Sequence, residues 1–127
     1  MAVLYIAVGG AIGAVLRYGL GGWVHAWAGS DFPWGTLVIN TVGSLLLGFL
    51  VRFMEAVALT PDLRALLTIG LLGAFTTFST FSYETVTLLQ GGQWARGLAY
   101  SLGSLLLGLV AVLAGLYLAS LALQTRG

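Results

Sequence analysis

The chain contains no cysteine and no lysine, and it has only two prolines among its 127 residues. Without cysteine there is neither a disulfide framework nor a thiolate-bound zinc site. Charge is also scarce: Asp, Glu, Lys and Arg make up 7% of the residues, whereas an ordinary soluble domain has about 25%. The net charge of +1 gives no basic stripe for nucleic acid. These absences exclude a disulfide-stapled, disordered or nucleic-acid-binding protein.

Apolar residues dominate the chain instead. They account for 59% of it, and the mean hydropathy is +1.02. A soluble domain of this size exposes too much surface to hide that many apolar side chains. The sequence therefore predicts a small integral membrane protein embedded in a lipid bilayer.

Charged residues separate four apolar runs, which cover residues 2–16, 32–51, 65–83 and 97–125. A helix needs about 20 predominantly apolar residues to cross the hydrocarbon core. We therefore predict an all-α membrane protein in which residues 1–127 form a single four-helix transmembrane domain. The predicted helices cover residues 2–23, 34–55, 63–89 and 95–122. No Lys or Arg precedes the first run, so we expect the first helix to be retained rather than cleaved as a signal peptide.

The arginines give a weak indication of orientation. Four spans place both termini and the loop between helices two and three on one side, together with Arg52, Arg64 and Arg126. The other side has Arg96, joined by Arg17 if that side chain reaches the interface. This small excess favours one orientation with both termini inside, but it also suits a chain that inserts both ways and pairs antiparallel. Four helices close poorly around a pore, so we expect a homo-oligomer, and a dimer is the commonest closed assembly.

Small residues recur at helical spacing and predict close packing between helices. Lipid supplies no hydrophobic force between helices, so their association depends on small side chains that let backbones approach. The small pairs lie at positions 9 and 13, 44 and 48, and 104 and 108.

The third predicted helix carries the strongest functional signal. The nine consecutive residues Thr76–Glu84 have hydrogen-bonding or aromatic side chains, which suit neither a lipid-facing surface nor an apolar core. Threonine close to glycine favours a break near the middle of this helix. Unwound backbone at membrane depth is tolerated where it is buried in protein or lines a cavity. Its free carbonyls can bind a cation, and its free amides can face an anion.

An aromatic stripe accompanies this polar run. Phe75, Phe78 and Phe81 recur every third residue, which predicts a slanted row of rings on the third helix. Plain packing is the usual explanation for such a row, but the interleaved hydroxyls favour a pathway.

Polar side chains also occur on the second and fourth predicted helices. Asn40 shares a helical face with Thr36, while Tyr100 and Ser104 mark an equivalent face on the fourth helix. An interhelical hydrogen bond, worth about 0.6 kcal/mol on average, would account for Asn40. The alternative is an amide that donates into a water-filled path.

Two ionisable side chains lie within or close to the apolar runs, where such groups are costly. Arg17 stands about 24 Å along the first helix at a rise of about 1.5 Å per residue. It either snorkels to the interface or acts as a vestibule cation that attracts anions or anchors a polar loop. Glu84 is either an interfacial carboxylate or a buried group coupled to a proton or an ion.

The residues do not support catalysis. The single histidine, His25, falls in a predicted loop region, cysteine is absent, and no carboxylate pair shares one helix face. A catalytic triad or a zinc site therefore lacks its parts, and we expect no enzymatic activity.

The polar groups inside the spans favour an anion. Amide N–H and hydroxyl O–H groups and the positive edges of aromatic rings can replace the water around a small anion. A cation path would instead show rings of carboxylates or ordered carbonyls. The inventory of Asn, Ser, Thr, Tyr and Phe predicts a pathway for a small, strongly hydrated anion.

Three motifs carry a resemblance to a known family. They are Gly10–Tyr18, Gly35–Gly43 and Gly70–Ser82, and the last contains the highly specific order Thr-Thr-Phe-Ser-Thr-Phe. At these residues, and over nearly its whole length, the chain resembles the Fluc (CrcB-type) fluoride channels. The resemblance implies an antiparallel, dual-topology homodimer with two pores. It also implies a third helix broken near its middle, and passive export of fluoride across the cytoplasmic (inner) membrane.

The same resemblance places the fluoride pathway along uncharged side chains. The ring edges of Phe78 and Phe81 would meet fluoride, and Asn40 would be the pore-facing amide of the second helix. Ser79 and Thr80 match the hydroxyl track beside the rings. The remaining members of the pathway are Tyr100 and Ser104 on the fourth helix, with Thr36 added because it shares the face of Asn40.

Other roles that the resemblance implies concern charge and metal. Gly73 and Thr76 fall where family members break the third helix and offer backbone carbonyls to a structural sodium ion at the dimer interface. Arg17 matches the first-helix arginine of the family, and Glu84 resembles a carboxylate near one pore end. Gly108 is a departure, because some relatives have a hydroxyl at that place.

Two other functions fit parts of the sequence. A small proton-coupled multidrug transporter also has four short helices inserted in opposite orientations. It needs a membrane-embedded carboxylate, however, and the first helix has none. A non-transporting helical partner of a larger complex would explain the small-residue faces but not the hydroxyl–aromatic run.

Overall fold

The computed structural model describes residues 1–125, and this part of the chain is all helical. Four stretches are long and apolar enough to cross a membrane, which confirms the prediction of four spans. Arg126, which is predicted to lie on the same side as both termini, lies outside the described residues. The elements are α1 (Ala2–Ala28), α2 (Trp34–Ala56), α3 (Pro61–Ala65), a π-helical segment (Leu66–Leu72), α4 (Gly73–Phe75), α5 (Phe78–Gln90) and α6 (Trp94–Gln124).

The first helix runs further than the sequence predicts. Predicted to end at residue 23, α1 continues to Ala28, because Trp23–Ala28 contains no helix breaker. The chain leaves the helix at Gly29, whose φ of 86° lies in the left-handed region that glycine adopts most readily. The predicted loop position of His25 was therefore wrong, since His25 lies in the last turn of α1.

The third span, Pro61–Gln90, is assembled from several pieces. It begins at Thr60, whose Oγ1 accepts a 3.2 Å hydrogen bond from the Leu63 amide, with Pro61 in the first turn. After α3 the backbone widens into the π-helical segment, returns to α-helix in α4, and is then interrupted. At Thr76 and Thr77 the backbone is extended, with ψ values of 156° and 118°. The threonine-rich run thus contains the break that it predicts.

Glycines bring the third span against α1. A methyl group at Gly9 would overlap the Leu66 carbonyl oxygen, and one at Gly13 would overlap the Leu71 carbonyl oxygen. From the opposite side, a methyl at Gly70 would stand 2.7 Å from the Ile6 carbonyl oxygen. Backbone therefore packs directly on backbone at this interface, as the small pair at positions 9 and 13 predicts.

The second close contact joins α2 to α6. A methyl group at Gly48 would overlap the Val112 carbonyl oxygen, and one at Gly115 would overlap the Leu45 carbonyl oxygen. These two glycines fix the distance and the register of α2 and α6, so they also decide which polar residues of the two helices face one another.

Large aromatic side chains mark one end of the bundle. Trp23 and Trp27 on α1, Trp34 on α2 and Trp94 on α6 are all exposed, and all lie beside the loops at 29–33 and 91–93. Exposed tryptophans are enriched at the boundary between lipid and water. This end of the bundle is therefore placed at a membrane interface.

Candidate functional site

The break in the third span is held open by one side chain of α2. The Thr77 amide donates to Oδ1 of Asn40 over 2.8 Å, and Nδ2 of Asn40 donates to the Thr77 carbonyl over 3.0 Å. In an unbroken helix, the backbone N–H and C=O of Thr77 would pair with other backbone groups of the same helix. Here both pair with the side-chain amide of Asn40. Asn40 forms an interhelical clamp, and one of its two Nδ2 hydrogens remains for a further acceptor.

Other side chains satisfy the two helix ends beside the break. The Thr77 hydroxyl caps α5 by accepting from the Thr80 amide over 3.2 Å. Nε of Arg17 donates to the Ala74 carbonyl over 3.0 Å, at the negative end of α4. Of the alternatives for Arg17, the structure favours the anchor: its guanidinium secures the break by holding the carbonyl that the interruption exposes.

A cavity of about 380 Å³ opens beside the break. It lies between α2, the third span and α6, which places Asn40 and Ser104 on different walls. The cavity is lined by Asn40, Gly43, Ser44, Leu47, Thr68, Leu72, Gly73, Thr76, Thr77, Phe78, Phe81, Ser104, Leu105 and Gly108.

One fully buried polar atom among the residues that line this cavity has no partner within the described chain. The Ser104 hydroxyl oxygen is inaccessible to solvent and makes no hydrogen bond. A buried hydroxyl without a partner costs about 1–3 kcal/mol. The Ser104 hydroxyl, buried in the cavity wall, and the free Nδ2 hydrogen of Asn40 are thus two uncharged donors whose hydrogen-bonding capacity the described chain leaves unused.

The aromatic stripe does not exist as a single row. Phe75 is buried, 6% exposed, whereas Phe78 is 79% exposed, because the extended residues Thr76 and Thr77 turn α5 away from α4. Phe78 and Phe81 do stay together, with ring centroids 5.9 Å apart. These two rings, and not Phe75, line the cavity.

A second polar group lies towards the tryptophan end of the bundle. The Tyr100 hydroxyl donates to Oε1 of Glu84 over 3.0 Å, and Tyr100 is fully buried. A smaller cavity of about 190 Å³ lies beside Glu84, lined also by His25, Asp31 and Phe32. Glu84 is half-buried and lies at the wall of this smaller cavity, which forms the mouth at this end of the bundle. Its carboxylate is held by the Tyr100 hydroxyl rather than freely solvated.

The predicted pathway residues fall into two groups. Asn40, Phe78, Phe81 and Ser104 meet in the large cavity, together with Gly73 and Thr76. Tyr100 adjoins this group through Phe81, with ring centroids 5.2 Å apart, and Thr36 lies beside the Tyr100 hydroxyl. Ser79 is exposed, and neither Ser79 nor Thr80 lines the large cavity.

Sequence reasoning missed two residues at the site. Thr77 provides both the backbone groups that Asn40 clamps and the cap of α5, whereas the sequence marks it only as a member of the hydroxyl–aromatic run. Thr68 lines the cavity from the π-helical segment. The doubled threonine before a phenylalanine was the available signal for Thr77, because threonine is a preferred N-cap.

The carbonyls at the break are the candidate metal ligands. Gly73 lies inside α4 with helical dihedrals, but the Thr77 amide, its i+4 partner, donates to Asn40 instead. The Thr80 amide likewise turns to the Thr77 hydroxyl and leaves the Thr76 carbonyl. Such oxygens suit a hard cation. Within residues 1–125 no cluster of three or more His, Cys, Asp or Glu could hold a metal.

Comparison with known proteins gives one family and many relatives. The family model described as "CrcB-like protein, Camphor Resistance (CrcB)" matches residues 4–116. A protein named fluoride-specific ion channel FluC from Thermus thermophilus is 50% identical over 112 residues, which are 88% of each chain. Proteins of the same name from Hahella chejuensis and Rhizobium meliloti are 51% and 48% identical, and cover 95% and 91% of this chain and 96% and 94% of their own.

Proposed function

The chain belongs to the CrcB-like family, and from this premise we propose that it conducts fluoride passively and selectively out of the cell. The family match confirms the resemblance that the three motifs indicate. The relatives of the chain are named as ion channels rather than as enzymes. The observation that carries the proposal is the cavity at the break, where neutral donors meet two phenylalanine rings. The multi-pass architecture fits this function, and the cytoplasmic membrane is the site we propose for it.

The donors at the break suit fluoride because they are uncharged. The free Nδ2 hydrogen of Asn40, the Ser104 hydroxyl and the ring edges of Phe78 and Phe81 can replace the waters that the ion sheds. A full positive charge would hold the anion too tightly, and conduction requires release as well as binding. The Arg17 guanidinium, engaged with the Ala74 carbonyl, lends positive potential close to the path.

We further propose that two copies assemble antiparallel and complete two pores. Phe78, which is 79% exposed, and the open side of the large cavity would face lipid in a single chain. The charges support insertion in both directions. Among the described residues, Arg52 and Arg64 lie at one end of the bundle and Arg96 lies towards the other. A difference of one arginine between the two ends gives little positive-inside bias.

Labelling a single introduced cysteine tests the two orientations. The chain has no cysteine of its own, and Ala28 is exposed at the end of α1. In intact cells that produce Ala28→Cys, a membrane-impermeant maleimide should label about half of the protein, because the two orientations would be equally populated. Labelling should become complete after permeabilisation. Labelling of all or none of the protein in intact cells would contradict dual topology.

A sodium ion at the dimer interface belongs to the same proposal. The carbonyls of Gly73 and Thr76 lose their helical partners at the break, and unsatisfied carbonyls at membrane depth are costly. A bound monovalent cation would satisfy such carbonyls from both copies. This chain's residues therefore fit the ion as backbone oxygen donors, and its role there would be structural.

Efflux from liposomes is the direct test of the function. Purified protein in vesicles loaded with potassium fluoride should release fluoride rapidly once valinomycin removes the opposing voltage. Vesicles loaded with chloride should release it hardly at all. Phe81→Ile should stop fluoride release while dimers still form, because isoleucine fills the site without a positive ring edge. Phe49→Ile on α2, whose ring stacks on Phe53 at 5.6 Å, is the matched control and should conduct. Comparable chloride release would contradict selectivity.

A proton-coupled multidrug transporter is not supported. The relatives carry the name of fluoride channels, and α1 contains no carboxylate to exchange protons for a cationic substrate. Glu84, the one carboxylate in α5, is hydrogen-bonded to Tyr100 at the edge of the spans.

A further inference from the structure

The loop between α1 and α2 sends one aromatic side chain towards the pathway. Phe32 meets the Tyr100 ring at 85°, with ring centroids 5.4 Å apart, which is an edge-to-face contact. On its other side Phe32 packs against Trp34, with centroids 4.6 Å apart. A residue from a connecting loop thus contacts the most deeply buried large side chain among the described residues.

Tyr100 is held from three directions. Its hydroxyl donates to Glu84, its ring packs against Phe81, and Phe32 meets the ring edge to face. The contacts continue from Phe81 to Phe78 at 5.9 Å. A continuous row of rings therefore connects the loop at the mouth to the cavity at the break, a distance that no single side chain could span.

We propose that Phe32 is a positioning residue for fluoride conduction. It acts through Tyr100: the edge-to-face contact fixes the Tyr100 ring, and Tyr100 in turn orients the Phe81 ring and the Glu84 carboxylate. Phe32 itself lies outside the large cavity. This inference rests on the proposed function, because Phe81 is taken to be a ring that fluoride meets.

The smaller cavity explains why the ring is required. Phe32 and Glu84 share the wall of this cavity of about 190 Å³, which lies at the interface end of the bundle. If the Phe32 ring were lost, water could reach the Tyr100 hydroxyl and compete for Glu84. Tyr100 would then be free to rotate, and Phe81 would lose the face against which it packs. An aliphatic side chain would restore most of the volume but not the ring edge.

Two substitutions separate the ring from its volume. Phe32→Leu keeps an apolar side chain, and Phe32→Tyr keeps the ring while its added hydroxyl can enter the smaller cavity. Phe32→Leu loses the ring contact with Tyr100. If the free energy of one aromatic pair no longer holds Tyr100 in the conducting arrangement, fluoride efflux from liposomes should slow by roughly two- to tenfold. Phe32→Tyr should conduct like the unmodified chain. Trp23→Leu is the matched control, since Trp23 is exposed at the same end and contacts Trp27 rather than Tyr100.

The dimer fraction and melting temperature of each variant in detergent accompany the flux measurement. The expected result is an unchanged dimer fraction in all three variants, with efflux lowered in Phe32→Leu alone. Phe32→Leu and Trp23→Leu both lose an aromatic contact, so a small decrease in melting temperature is expected in both. Normal efflux in Phe32→Leu would overturn the inference. So would equal losses in Phe32→Leu and Phe32→Tyr, or a loss that tracks the dimer fraction. If the unmodified chain itself releases no fluoride, the proposed function fails instead.

Discussion

Asn40→Asp is expected to abolish fluoride efflux at neutral pH while leaving the protein able to form dimers. The carboxylate still accepts from the Thr77 amide, but it has no hydrogen to donate to the Thr77 carbonyl or to an ion in the cavity. It also places a negative charge on the wall of the large cavity, through which we propose that fluoride passes. At about 4 Å and an effective dielectric constant of about 20, repulsion between two such charges is about 4 kcal/mol. Efflux should therefore fall by at least about a hundredfold.

A control with the same chemical change isolates this effect. Gln90→Glu also converts an amide to a carboxylate, but Gln90 is exposed at the end of α5. Its efflux should match that of the unmodified chain to within about twofold, since exposed charges are strongly screened. Fluoride efflux that persists in Asn40→Asp would remove Asn40 from the pathway and reduce it to a structural clamp. A variant that does not form dimers would show that the clamp is needed for folding.

Gly115→Ala is expected to destabilise the protein more than any exposed substitution. The added methyl would overlap the Leu45 carbonyl oxygen and stand 2.7 Å from the Phe49 amide nitrogen. These are backbone atoms, so no side-chain rotation relieves the clash, and α2 and α6 must separate. Overpacking of this kind costs about 1–3 kcal/mol and occasionally more. The protein should therefore melt at a lower temperature, as measured by size-exclusion chromatography after heating.

A second glycine of α6, Gly103, provides the control, because an added methyl group there meets no neighbouring atom within 4 Å. Because alanine is favoured over glycine in a helix by about 1 kcal/mol, Gly103→Ala should leave the melting temperature unchanged or raise it. A similar loss in both variants would show that the contact between Gly115 and α2 does not set the stability.

Several features could be read from the sequence because they depend on composition and on neighbouring residues. The scarcity of charge and the apolar runs predict four spans. Threonine close to glycine predicts the break in the third span, and the structure places it at Thr76 and Thr77. The glycine pair at positions 9 and 13 predicts close helix contact. Each of these signals lies within a few residues of the structure that it predicts.

Other expectations failed where they assumed an uninterrupted helix. A spacing of three placed Phe75 in a row with Phe78 and Phe81, but the two extended residues between them rotate one helix relative to the other. Ser79 and Thr80 do not line the large cavity of the single chain, and their place beside the rings stays a prediction. The contact between Phe32 and Tyr100 is not predictable from the sequence, because a loop residue carries no periodic signal that indicates what it contacts.

The sequence by itself determined the class of protein, the number of spans and the place of the break. Only the tertiary structure decided which polar groups meet there. Asn40 reaches Thr77 across 37 positions of the chain, and Arg17 reaches Ala74 across 57. Such pairs depend on the rotation and register of whole helices, which are set by the backbone contacts at Gly13, Gly48 and Gly115. Local propensity contains no information about the register between distant helices, and the pathway follows from that register.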